Sequence, residues 1–231
     1  GDGSQAGHEV EAAGRVQAWV AGPGMGTDEA ARSRLAAVLG TDLPVLVDAD
    51  GLTLVAQERG LLARAAPTLL TPHAGELARL LGGDPADVAA RRLEHARAAA
   101  AELGVTVLLK GSTTVIAPAG GGEVLVNSTG TSWLATAGTG DVLSGLAGSL
   151  LAQGLAVSEA AAAAAFLHGI AARRAAAGTV QAGTGQAGMM PAGMIPAGAD
   201  PAGTGAGSPI AAGDVISALP AAIRGVRAWT D

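Results

Sequence analysis

VTVLLKGSTTVIAPAGGGEVLVN, residues 105–127, decides the fold. Val105 to Leu109 is a short apolar run with no polar alternation, the pattern of a strand covered on both faces. TTVIAP and EVLVN follow, separated by AGGG, and read as two antiparallel strands at the edge of the same sheet. Upstream, similar short runs recur at Val16–Ala21, Pro44–Val47 and Thr68–Leu70. Each gives way to an Ala/Leu-rich helical stretch: one opening near Thr27 with Ala30, Leu35, Val38 and Leu39 inward, others ending at Leu81 and spanning Pro85–Leu103. Strands alternating with helices predict an α/β fold on a mostly parallel sheet, closed by the late hairpin. Downstream, a helix opens at Asp141. The next is capped by Ser158 and turns Ala162, Phe166 and Ile170 inward, and a last one spans Asp214–Arg224.

The 231 residues suit one domain, 1–231. Nearly half are hydrophobic, enough for a core, but aromatics are 2%, so that core is built of Ala, Val, Leu and Ile. Fourteen basic against 20 acidic residues, with no basic stripe, argue against nucleic acid as a partner. The absence of cysteine excludes disulfide frameworks, zinc ribbons and thiol nucleophiles. No run suits a membrane span, and the first residues lack the pattern of a signal peptide, which leaves a cytoplasmic protein as the expectation. Residues 178–208 hold nine glycines and one charge, and read as a flexible surface insertion between two helices.

The chemistry concentrates in loops at the carboxyl ends of predicted strands, the edge where open α/β sheets bind ligands. Ala137–Asp141 reads A-G-T-G-D. Gly138, Thr139 and Gly140 open a helix whose free N–H groups and dipole suit an anion. Asp141 is either a base for a substrate hydroxyl or a helix-start charge. Lys110, the only lysine, closes a strand ahead of Gly111, Ser112, Thr113 and Thr114, a setting for nucleotide phosphate or ribose. His73 in TPHAGE is either a site residue or a helix cap, with Glu76 serving the first turn behind it. Asp48 and Asp50 in DADGL are either ligand groups or turn acceptors. His8, His95 and His168 read as structural.

VAGPGMG, PVLVDADGL, TPHAGE, LLKGSTTVI, TGTSWLATAGTGDVLSG and GDVISALPAAIR occur in this order. Together they resemble the ADP/ATP-dependent NAD(P)H-hydrate dehydratase family of the ribokinase-like superfamily. GTGD is shared with many ribokinase-like kinases; TPHAGE with GPGMG and DADGL is more specific. The resemblance implies a three-layer α/β/α fold and repair of hydrated NADH or NADPH, with ADP or ATP as co-substrate and Mg²⁺. It makes Lys110–Thr114 and Gly140 adenine-nucleotide binders, Gly26, His73 and Asp141 binders of the hydrated dinucleotide, and Asp141 the catalytic base. It also implies a homo-oligomer, often a tetramer. Against the family pattern the chain starts late, predicting missing first strands, an exposed sheet edge and an open cleft wall. A ribokinase-like kinase for vitamin-precursor alcohols and a non-catalytic nucleotide-binding protein are the alternative readings.

Overall fold

The computed structural model describes residues 2–178 and 208–228; the 179–207 part of the glycine-rich segment lies outside the described residues. The chain opens with helix α1 (Asp2–Ala12), then β1 (Trp19–Ala21), α2 (Glu29–Leu39), β2 (Val45–Val47), α3 (Ala49–Gln57) and β3 (Thr68–Leu70). Next come α4 (Ala74–Leu81), α5 (Pro85–Ala90), α6 (Arg92–Leu103), β4 (Thr106–Leu109), β5 (Thr114–Ala117) and β6 (Leu125–Asn127). Helices α7 (Thr139–Ala152), α8 (Val157–Ala176) and α9 (Ala212–Arg227) close it.

The six strands lie in sequence order. β1 to β4 pair in parallel, and β4–β5 and β5–β6 antiparallel. Side chains along a strand alternate between faces, and the core divides accordingly. Val45, Val47, Leu70, Val107 and Leu109 face α2 to α6. Leu46, Leu69, Leu108 and Ile116 face α7 and α8. The result is the three-layer α/β/α arrangement, with α9 packed on α8 through an alanine-rich cluster. β1 and β6 are the edge strands, and Val20 on β1 and Val126 on β6 are exposed.

Several boundaries differ from the sequence reading. Residues 2–12 are helical, and α1 packs on α2, with Val10 against the core below. Asp28 caps α2 by accepting the Ala31 N–H, and Ala31 turns inward where Ala30 was expected. The helix expected over 85–103 breaks at Arg91 (φ −119°, ψ 49°). Beyond the break, Arg92 turns toward the sheet edge and donates to the carbonyls of Leu109, Lys110 and Thr113. α7 begins at Thr139 rather than Asp141. α8 begins at Val157 with no side-chain cap, so Ser158 does not cap it. Its buried face is Ala160, Ala161, Ala164, Ala165 and His168, not Ala162, Phe166 and Ile170. Small residues turn inward because α8 is pressed close to α7 and the sheet on one side and α9 on the other, leaving the bulk of Phe166 at the margin.

Candidate active site at the carboxyl edge of the sheet

Parallel strands deliver their carboxyl ends to one edge, so the loops after β1, β2, β3 and β4 meet there. The antiparallel return of β5 and β6 brings Thr114 and Asn127 to the same edge. Tight turns make the convergence close. Gly22, at φ +126°, lies so near the Asp48 carbonyl that a Cβ there would overlap it.

Asp48 is the centre of this edge. Its carboxylate is 1% exposed, yet every contact is supplied. Oδ1 accepts from Lys110 Nζ at 2.7 Å and from the Ala49 N–H at 2.9 Å; Oδ2 accepts from Ser144 Oγ at 2.7 Å. A buried charge is tolerated when it is paired and hydrogen-bonded. Lys110 also faces Glu76 Oε2 at 3.7 Å. A Cβ built on Gly140 would lie 3.6 Å from Lys110 Nζ and 4.0 Å from Asp48 Oδ2. The only lysine therefore stands beside the first turn of α7, whose cap Gly138 is left-handed at φ +83°. The first-turn N–H groups and the helix dipole favour an anion at this corner, beside an ammonium already paired with Asp48.

Asp141 sits in that first turn with an exposed side chain. Thr139 is buried; its hydroxyl contacts the carbonyls of Leu134 (2.6 Å) and Thr136 (2.8 Å), and its backbone N–H donates to the same Thr136 carbonyl at 3.3 Å, so it shapes the turn. Gly111 and Ser112 are exposed and Thr113 half-buried. Thr114 is buried within β5 with its hydroxyl 3.5 Å from the Gly111 carbonyl. Arg92 holds this loop from below, and burial lowers its guanidinium pKa below the usual arginine value.

His73 caps α4. Its Nδ1 accepts the N–H groups of Gly75 (3.0 Å) and Glu76 (3.3 Å), and Glu76 returns the bond to the His73 N–H at 2.7 Å. The acceptor role of Nδ1 assigns the proton of the neutral ring to Nε2, on an exposed side chain. Gly26 is exposed, and its N–H donates to Asp50 Oδ2 at 2.9 Å, tying the GPGMG loop to α3.

Ser144, Glu76 and Arg92 were not singled out as site residues by sequence. Ser144 follows Asp141 by one turn, a spacing that places both on one side of α7, and this was a usable signal. His168, expected to be structural, is buried on α8 close behind this turn with its Nε2 unpartnered, and burial lowers its pKa to about 4. Arg173 binds the carbonyls of Ser128, Thr129 and Gly130, fixing the loop that leads to α7.

The sequence pattern of the NAD(P)H-hydrate dehydratase family matches residues 2–187. The chain is 62% identical over 152 residues to the bifunctional NAD(P)H-hydrate repair enzyme of Mycobacterium tuberculosis, covering 65% of this chain and 31% of that protein. It is 49% identical over 162 residues to the ADP-dependent (S)-NAD(P)H-hydrate dehydratase of Neisseria meningitidis, covering 68% and 54%. The chain thus spans about a third of the first relative's length and about half of the second's. Among solved structures, the ADP/ATP-dependent NAD(P)H-hydrate dehydratase of Bacillus subtilis, co-crystallized with ATP/Mg²⁺, superposes with a TM-score of 0.67. That match has 28% identity and covers 90% of this chain and 66% of the other. With the motifs, the three-layer fold and these likenesses in agreement, the chain belongs to the NAD(P)H-hydrate dehydratase family.

Proposed function

We propose that this chain carries ADP- or ATP-dependent dehydration of hydrated NADH or NADPH. The observation that supports it is the corner where Lys110, Gly140 and Asp48 meet beside Asp141. Water is a poor leaving group and phosphate a good one, so the chemistry is phosphoryl transfer followed by elimination. Asp141 takes the proton of the hydroxyl on C6 of the hydrated ring, and the oxygen attacks the terminal phosphorus of the nucleotide. The shortened nucleotide leaves. The C6–O bond then breaks with loss of phosphate, and a proton lost from the adjoining carbon restores the double bond. Negative charge grows on the transferring group and its leaving oxygen, and Lys110 with the Gly140 N–H group meets it there. Lys110–Thr114 and Gly140 hold the nucleotide; Gly26, His73 through Nε2–H, and Asp141 hold the dinucleotide.

Mg²⁺ fits as an ion carried by the phosphates. No cluster of three or more His, Cys, Asp or Glu side chains suited to a metal occurs among the described residues. The Asp48 oxygens are already engaged by Lys110, Ser144 and Ala49. Magnesium needs only one or two carboxylates when phosphates supply oxygens, and Glu76 is the carboxylate that would hold it. When bound, the ion neutralises phosphate charge and polarises the transferring group.

The test is restoration of absorbance of the reduced nicotinamide from hydrated NADH with ADP or ATP and Mg²⁺, run beside phosphorylation of vitamin-precursor alcohols. Nucleotide-dependent restoration is the expected result. Phosphorylated alcohol without restoration makes the chain a small-molecule kinase instead. None of the described helices is long and apolar enough to cross a membrane, so the assay is run in aqueous buffer.

A further inference from the structure

We propose that Asp48 is a positioning residue that holds Lys110 and the base-bearing helix in one register, so that Lys110 reads the nucleotide's transferable phosphate rather than its adenosine. This rests on the reading of the site given above. The argument begins with burial. Ser144 is fully buried and Asp48 nearly so, whereas Lys110 is one-fifth exposed at its side chain. The carboxylate is therefore the fixed point and the ammonium the end that meets a ligand. One oxygen of Asp48 is committed to Lys110 and the backbone of Ala49, the other to Ser144 on α7. The bonds run from the end of β2 to the end of β4 and to a helix far along the chain. Gly140 lies beside both charges: a Cβ there would sit in ordinary contact distance of Lys110 Nζ (3.6 Å) and Asp48 Oδ2 (4.0 Å).

A flexible lysine stem has many rotamers and no preferred direction of its own. Asp48 removes that freedom and aims Nζ at the α7 N-terminus, where an anion gathers the N–H groups. Ser144 ties the same carboxylate one turn behind Asp141. The base and the ammonium are thereby spaced by one buried group that touches neither substrate.

The single lysine makes the test direct, because selective ¹³C-lysine labelling gives one side-chain signal. In the parent chain, the Lys110 signal moves on addition of ADP and stays in place with adenosine. Asp48→Asn keeps the side-chain shape and the cap of α3, and weakens the preference for ADP over adenosine, measured by calorimetry, by about tenfold. The effect on ADP affinity is not additive with Lys110→Met, the double variant binding no worse than the weaker single one. A merely structural role moves thermal stability and leaves both the preference and the additivity alone. An Asp48→Asn chain that stays folded and keeps the preference to within about threefold overturns the proposal. So does a parent Lys110 signal that responds equally to ADP and adenosine. Should Asp48→Asn fail to fold, Ser144→Ala removes only the hydroxyl on Oδ2; a weakened preference for ADP over adenosine supports the proposal, and an unchanged preference overturns it. The nucleotide-binding readouts need no hydrated dinucleotide, so a chain that fails to repair NADH hydrate refutes the proposed activity without deciding the role of Asp48.

Discussion

Lys110→Met is the perturbation that most sharply probes the site's energetics. Methionine keeps the apolar stem and removes the ammonium, leaving Asp48 buried with its charge. At the 2.7 Å separation in the structure, the pair attracts by about 6 kcal/mol at an effective dielectric near 20. Desolvation of both ions opposes that figure, and removal of one partner from a buried pair costs about 3–5 kcal/mol in practice. The Ser144 hydroxyl and the Ala49 N–H stay on the carboxylate and soften the loss, so the expected value is near the low end, about 3 kcal/mol. For a chain of this size that is about 6–12 °C in Tm. Urea unfolding with unchanged slope is the assay. Arg32→Ala, which opens the exposed Arg32–Glu29 and Arg32–Glu58 pairs, is the control and leaves the unfolding midpoint nearly in place. Adding Asp48→Asn to Lys110→Met returns most of the loss, because no charge is then stranded. A Lys110→Met loss below about 1 kcal/mol would show that the pair behaves as a surface ion pair, and the reasoning from burial fails.

Asp141→Asn lowers turnover of hydrated NADH by about 10²–10⁴-fold while ADP affinity holds; turnover within about tenfold of the parent removes Asp141 as the base. Arg92→Ala frees three carbonyls at the Lys110–Thr113 loop and weakens ADP binding more than it weakens dinucleotide binding, measured by calorimetry; equal losses make Arg92 a general structural residue. His168 holds its folded-state pKa at about 4 against 6.5 in the free side chain. The unfolded chain therefore takes up the proton first, and its contribution to stability is complete above about pH 6.5, falls as pH drops toward 4 and is level below, about 3 kcal/mol in all. His168→Gln flattens that part of the unfolding profile, and an unchanged slope assigns it to other groups.

The strands and the loops that end them were legible because their signals are local. Val105–Leu109, Pro44–Val47 and Thr68–Leu70 are apolar runs bounded by Gly, Pro and Asp, and each lies within a residue or two of the strand it forms. The motif order placed Gly26, His73, Lys110, Gly140 and Asp141 at strand ends or helix starts by the same local logic. Helix faces were less legible where the residues are uniform: α8 is largely alanine, and only packing against α7, the sheet and α9 chooses which alanines turn inward. The break at Arg91 was hidden for a related reason, since nothing in 85–103 shows that Arg92 is needed at carbonyls 17 to 21 positions onward. The sequence left Asp48 open between ligand group and turn acceptor, and the tertiary structure shows a third role. Its partners Lys110 and Ser144 stand 62 and 96 positions away. Local spacing carries no information across such separations. Only the parallel stacking of β2 beside β3 and β4, with α7 laid across them, brings a carboxylate, an ammonium and a hydroxyl into one dry corner where each satisfies the others.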